Sequence, residues 1–433
     1  MRLLVISYAF PPYNSIGGVR VGKTVKYLLN FGHDVRVLTA QEQSFLPTLP
    51  VEIPVERVTY TKWLSVRGGS PATRNSVEAG ASANGNSGKK TKLKTALKQA
   101  LSSSYKNLLD FPDSNIGWLP YAVPAASRLF ESWKPELILA SSPPPTSLVV
   151  AYRLARKFGI PWVADLRDLW MDHPYYKPPG WRKAVEERLE RRVLSSAAGM
   201  VTVSEPLAES LKAKFGKQAS VVLNGFDPAD YPESSEVPFD DGRLKILYTG
   251  MIYPGKRDPS PLFEALQTLG PLAERVRVVF HGNFLETVRP LAERHGVGHL
   301  VAVNEPVPYK ESLQMQTRAD VLLLLLWSDP TERGVYTGKM FEYLGARRPI
   351  LAIGGTETVA ADLIRERGVG VALETPAQIA EQLIKWINQK QVSGAIPSLR
   401  PEAIARVSRE EQTRILEEYL IGVMSSTASP NLT

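Results

Sequence analysis

The sequence predicts an α/β protein built from two doubly wound parallel sheets, and three observations carry that reading. Strand-like apolar runs alternate with helix-period segments along the chain, the signature of βαβ units with crossover helices. The pattern restarts at Lys245-Ile246-Leu247-Tyr248, just after DPADYPESSEVPFDDG (Asp227 to Gly242), a run of prolines, acids and serines that reads as a linker. At 433 residues the chain exceeds what one hydrophobic core serves, so two domains of roughly 200 residues each are expected.

The elements follow in order. Leu3 to Ile6 reads as the first strand, a helix runs from about Val19 to Asn30 and stops near Gly32, and Asp34 to Thr39 is the second strand. Further strands in the first half are Leu137 to Ala140, Trp162 to Ala164, Met200 to Val203 and Ser220 to Leu223. In the second half they are Lys245 to Tyr248, Arg277 to Phe280, Leu300 to Val303, Val321 to Leu326, Ile350 to Ala352 and Val369 to Val371. The expected organisation is an N-terminal domain over 1–230 with a basic insertion at 64–109, a linker over 231–242 and a C-terminal domain over 243–398. A helix over 399–424 is expected to pack back toward the N-terminal domain, followed by a disordered tail over 425–433.

Composition narrows the function. The chain has no cysteine, which excludes disulfides, thiolate catalysis and cysteine-ligated metals. The longest apolar run, Val321 to Trp327, is far too short to span a bilayer. No signal-peptide pattern follows Arg2, so a cytoplasmic location is expected. The formal net charge is +8, but Leu64 to Leu109 holds eight basic residues against the single acid Glu78, leaving the rest of the chain close to neutral. Such localisation points to one interaction surface and away from a nucleic-acid groove. Within it, the low-complexity GASANGNSG (Gly80 to Gly88) precedes KKTKLKTALKQALSSSYKNLL. As a helix that stretch would line Leu93, Ala96 or Leu97, Ala100 or Leu101, and Leu108 along one stripe beside Lys89, Lys90, Lys92, Lys94 and Lys98. Contact of these lysines with an anionic membrane surface or an acceptor is the expectation, and packing of the stripe on the first domain is the alternative.

Gly17 to Thr24, GGVRVGKT, matches the phosphate-loop pattern G-x-x-x-x-G-K-[ST]. Its context does not. The nearest strand ends about ten residues earlier, with two prolines between, whereas a phosphate loop must hang directly between a strand and a helix.

In open parallel sheets ligands bind beyond the carboxyl ends of the strands. After the first strand come Gly17, Gly18 and Arg20, and after Trp162 to Ala164 come Asp165, Arg167 and Asp168. The second half offers Gly250, Lys256 and Arg257 after its first strand, and Gly338, Lys339 and Glu342 at a helix start. Cations and glycines at a helix N-terminus suit a diphosphate, and a carboxylate there suits a ribose diol.

Taken in order, these stretches resemble a family 4 glycosyltransferase over nearly the whole length. The resemblance is carried by GGVR, Gly32-His33-Asp34-Val35, GIPWVADLRD (Gly159 to Asp168), Val203-Ser204-Glu205, Val222 to Asp227, Thr249-Gly250 through Lys256, and GKMFEYLGARRPILA (Gly338 to Ala352). It implies the GT-B fold, two Rossmann-like domains facing each other across a cleft, and retaining transfer of a sugar from a nucleoside diphosphate sugar to an acceptor hydroxyl, with no cofactor or required metal. It implies donor contacts from Gly17, Gly18, Arg20, Gly250, Lys256, Arg257, Gly338, Lys339 and Glu342. Asp165, Arg167, Asp168 and Lys256 are the implied catalytic set, and the partners are the nucleotide-sugar donor and a glycan or lipid-linked acceptor. Three positions depart from the family pattern. Met251 stands where an arginine is usual, Gly334 stands where a second glutamate is usual, and Arg167 replaces a histidine. The alternatives are a catalytically idle partner subunit and a nucleotide-sugar epimerase of the same fold.

Overall fold

The computed structural model describes residues 1–13, 15–41, 110–173, 176–232, 241–252, 255–283, 285–327, 329 and 332–428. The chain divides into two compact units: Met1–Thr202 with Leu207–Val221 and Leu416–Thr433, and Val203–Pro206 with Val222–Ile415. The division thus falls at Val222, ahead of the linker read from composition. Gly225 explains why: a Cβ there would run into the backbone of Val407, Ser408 and Arg409, so this stretch is already packed into the second unit.

The first unit is a six-stranded sheet of β1 (Arg2–Ser7), β2 (Asp34–Leu38), β3 (Leu137–Ser142), β4 (Trp162–Leu166), β5 (Gly199–Thr202) and β6 (Ala219–Val221). Its order is β2-β1-β3-β4-β5-β6, with every pair parallel. The central strands β3, β4 and β5 are buried at every residue, as expected when both faces of a parallel sheet are covered. Helices α1 (Ile16–Asn30), α2 (Leu119–Ser132), α3 (Thr146–Phe158), α4 (Gly180–Ser195) and α5 (Glu205–Phe215) connect them.

The second unit repeats the scheme with β7 (Leu244–Thr249), β8 (Val276–His281), β9 (Val301–Asn304), β10 (Val321–Leu325), β11 (Ile350–Ile353) and β12 (Gly370–Leu373), again all parallel. The order is β12-β11-β10-β7-β8-β9. Ile246 and Tyr248 enter one core and Leu247 the other, and Leu323 and Leu325 alternate in the same way with Leu322 and Leu324. Its helices are α6 (Ser260–Leu269), α7 (Val288–Arg294), α8 (Tyr309–Thr317), α9 (Gly338–Gly345), α10 (Val359–Arg367) and α11 (Pro376–Ser393). The strand order reverses between β1 and β3 in one unit and between β7 and β10 in the other. Those switch points are where such sheets leave a crevice.

The C-terminal helix α12 covers Arg409–Ala428 in place of the expected 399–424. Its start is set by a reciprocal cap: Glu411 N donates to Ser408 Oγ at 3.2 Å, and Ser408 N donates to the Glu411 carboxylate at 3.0 Å. It continues into the expected tail, of which 429–433 lie outside the described residues. The basic insertion at 64–109 lies wholly outside them as well, Lys89, Lys90, Lys92, Lys94 and Lys98 included. Among the described residues no helix is long and apolar enough to cross a membrane.

Candidate functional site

In the second unit the chain turns sharply after β7. Gly250 has φ +125°, and its N–H donates to His281 O at 2.7 Å. A side chain on Gly250 would overlap Lys339, and one on Gly282 would overlap the Gly250 carbonyl. Both glycines are therefore required by close approach, and the gain is that Lys339 can lie against bare backbone. The Lys339 ammonium donates to Tyr248 Oη at 3.1 Å and sits 4.6 Å from that ring's centre. Tyr248 Oη in turn donates to Met251 O at 2.6 Å. Burial pushes the Lys339 amine down to about 7, Arg257 adds to the shift, and Glu342 opposes it.

Lys339 and Gly338 form the first turn of α9, whose N-cap Thr337 makes no side-chain cap bond and has a buried Oγ1 without a partner. Open space faces Gly338. The helix therefore presents an uncapped positive end beside the Lys339 amine. Lys256 lies 4.5 Å over the Trp327 ring, and Arg257 is half-buried. One turn into α9, Glu342 accepts from Gln316 Nε2 at 3.3 Å, and the same amide donates to Thr249 Oγ1 at 2.9 Å. Burial raises the Glu342 carboxyl, while the bond from Gln316 and the charge of Lys339 hold it down. Tyr231 fixes the helix from behind: its hydroxyl donates to Glu342 O at 2.7 Å, and it packs so closely on Gly345 that no side chain fits there. Gln316 and Tyr231 escaped the sequence reading, and Tyr248 and Thr249 entered it only as the end of a strand and the turn after it. Gly334, at the usual position of a second glutamate, has its carbonyl held by Ser204 Oγ at 2.7 Å.

The first unit corrects several expectations. Helix α1 begins at Ile16, because Ser15 caps it by accepting from Gly18 N at 2.9 Å. Gly17 and Gly18 are thus first-turn helical residues and not part of a preceding loop. A Cβ on Gly17 would overlap the Arg167 guanidinium, which shows why glycine stands there. The phosphate-loop pattern dissolves in the same geometry: Gly22 sits under the Pro11 ring within the helix, and Lys23 and Thr24 follow it there.

Asp165 lies inside β4 and not in a loop, at 5% exposure. Its carboxylate accepts from Ser141 Oγ at 2.8 Å and from Arg20 Nη2 at 3.2 Å. Arg20, at 4% exposure, is correspondingly turned into the sheet. These two residues form a buried ion pair that ties α1 to β4. Arg167 does stand at the end of β4. Its N–H donates to Ser142 O at 3.1 Å, one guanidinium nitrogen donates to Pro143 O at 2.8 Å, and its buried Nε has no partner. Burial lowers its basicity, opposed by Asp165 and Asp168. Asp168 is half-buried beside it.

Among the described residues no group of three or more His, Asp or Glu could hold a metal ion. No curated protein matches the chain. The family described as Glycosyl transferase 4-like domain matches residues 95–226. Among solved structures, an Anabaena protein, HepE in complex with UDP-glucose, is similar with TM-score 0.60 and 15% identity over 98% of this chain and 100% of that one. A glycosyltransferase from Rickettsia africae has TM-score 0.59 and 13% identity over 98% of each chain. A UDP-N-acetylglucosamine 2-epimerase has TM-score 0.53 and 14% identity over 100% of this chain and 98% of that one. Residues 95–226 match a glycosyl transferase 4-like domain, and the chain has the two-domain GT-B fold.

Proposed function

We propose that the protein transfers a sugar from a nucleoside diphosphate sugar to an acceptor hydroxyl of a glycan or lipid-linked glycan, with retention at the anomeric carbon. The observation that carries the donor assignment is the uncapped start of α9, with Lys339 laid against Gly250 and Glu342 one turn on. A diphosphate there receives backbone N–H groups and the Lys339 ammonium, and Lys256 and Arg257 lie on the adjoining loop. The Glu342 carboxylate is one turn away for the ribose diol. That HepE was solved with UDP-glucose on this fold supports a nucleotide-sugar donor.

In this reading the departing diphosphate gains negative charge as the glycosidic bond breaks, and cations already in place stabilise it without reorganisation. Lys256, Lys339 and the α9 end supply that charge, and no divalent ion is required. Arg167 and Asp168, beyond β4, are the first unit's own candidates for a catalytic role, with Arg20 and Asp165 holding α1 and β4 together.

The test is a mass-spectrometric screen of the purified protein against a panel of nucleoside diphosphate sugars, with and without acceptors. Donor hydrolysis or transfer supports the proposal. Interconversion of one donor into its epimer would favour the epimerase reading. Tight donor binding with neither reaction would favour a non-catalytic partner, the reading that Gly334 in place of a glutamate motivates.

A further inference from the structure

Helix α4 is built inside out. Its buried side carries Arg182, Glu186 and Glu190, while Trp181 and Val185, one turn apart, are 52% and 47% exposed. The inward charges are satisfied. Glu186 accepts from Trp170 Nε1 at 2.9 Å and Tyr176 Oη at 2.6 Å, and Glu190 pairs with Lys214 at 2.6 Å. Arg182 donates to Asp110 O at 2.7 Å and bonds to Glu186 at 3.2 Å. With Glu186 and Glu190 committed to the interior, the helix shows solvent a two-residue apolar tip followed by Arg188, Arg191 and Arg192, all exposed.

The charge on this face is one-sided. Glu187 is the acid of α4 that reaches solvent, and Lys183 lies 3.8 Å from it. Among the described residues Arg188, Arg191 and Arg192 form no ion pair; Arg192 Nε donates to Tyr152 Oη at 3.0 Å. Arg156 on α3 donates to that same oxygen at 3.2 Å, so two guanidinium groups gather on one phenol. The two arginines also lower the Tyr152 pKa, Arg156 and then Arg192 by hydrogen bonding and both by charge. The band therefore continues from α4 onto α3, where Arg153 and Arg156 are exposed. Like charges held this close repel each other unless an external anion offsets them.

We propose that the outward face of α4 docks on an anionic lipid bilayer. Trp181 and Val185 enter the headgroup region, and Arg188, Arg191 and Arg192 meet lipid phosphates. The chemistry favours a bilayer over a compact polyanion. The cations spread along an exposed helix surface, and an indole at the tip is the side chain best suited to the boundary between water and acyl chains. The proposal is independent of the donor site, since every residue in it belongs to the first unit.

The experiment uses the full chain with phosphatidylcholine vesicles of graded phosphatidylglycerol content. Co-sedimentation is expected to rise with phosphatidylglycerol and fall with salt. Arg188→Gln with Arg191→Gln should weaken binding by at least about tenfold, since each cation near an anionic leaflet is worth about fivefold. Trp181→Phe should abolish a blue shift of tryptophan emission that the wild type shows on the same vesicles. Thermal midpoint and donor affinity, measured on the same variants, should be unchanged, so failure of the donor site and failure of this surface read out separately. Equal partitioning of wild type and the double variant, binding indifferent to phosphatidylglycerol, or retention on heparin without vesicle binding would each overturn the proposal.

Discussion

The Lys339 ammonium lies 3.1 Å from the hydroxyl of Tyr248, against the bare backbone of Gly250. With burial and Arg257 bringing its pKa to about 7, it is half neutral near neutral pH in the free protein. An arriving diphosphate favours the ammonium, so donor binding takes up a proton when it occurs above about pH 7. The expected result in titration calorimetry is a binding enthalpy that depends on the buffer's own ionisation enthalpy, a dependence lost in Lys339→Met. Stability moves in the matching direction. The folded-state pKa lies below the unfolded value of 10.5, so the unfolded chain holds more protons from about 7 to 10.5, and stability rises with pH across that window. Lys339→Met should flatten that rise.

Two glycines separate local geometry from fold. At Gly17 an added methyl meets only the end of the Arg167 side chain, which can swing away, so Gly17→Ala should leave the thermal midpoint nearly unchanged while reducing transfer. At Gly282, with φ +154°, the added methyl meets the Gly250 backbone, and Gly282→Ala should be strongly destabilising. Thermal unfolding and turnover measured on both variants check the contrast, and a large stability loss at Gly17 would contradict it.

Asp165 and Arg20 are a buried pair, and removing one partner leaves the other charge uncompensated. Asp165→Asn should cost about 3 to 5 kcal/mol of stability, measured by denaturant unfolding. A loss of transfer with full stability would instead place Asp165 in contact with substrate.

The strands were legible because central strands of a parallel sheet, covered on both faces, must be apolar throughout. VLLLL in β10 and LILASS in β3 could be little else. The start of α1 was misread because Gly17-Gly18 looks like a loop until Arg167 is seen pressing on it. Asp165 was placed in a loop because an acid inside a buried strand makes sense only with Arg20, 145 residues away in sequence. The grip of Gln316 on Glu342 was hidden for a similar reason: the two lie on the separate helices before and after β10. The start of α12 was readable, since Ser408-Arg409-Glu410-Glu411 is a capping-box pattern.

Charge neutralisation by Lys256, Lys339 and the α9 end predicts that a chelator leaves turnover intact. Activity abolished by chelation and restored by magnesium or manganese would show that a bound ion carries that charge instead.

The central claim is that a nucleoside diphosphate sugar lies at the start of α9 between Lys256 and Glu342. Titration calorimetry of the best donor from the panel tests it directly on the wild type, Lys256→Ala and Glu342→Ala. Charge-assisted contacts of this kind are worth about 1.5 to 3 kcal/mol, so each variant should bind roughly tenfold more weakly or worse while keeping its folded circular dichroism spectrum. Unchanged affinity in both variants would contradict the site.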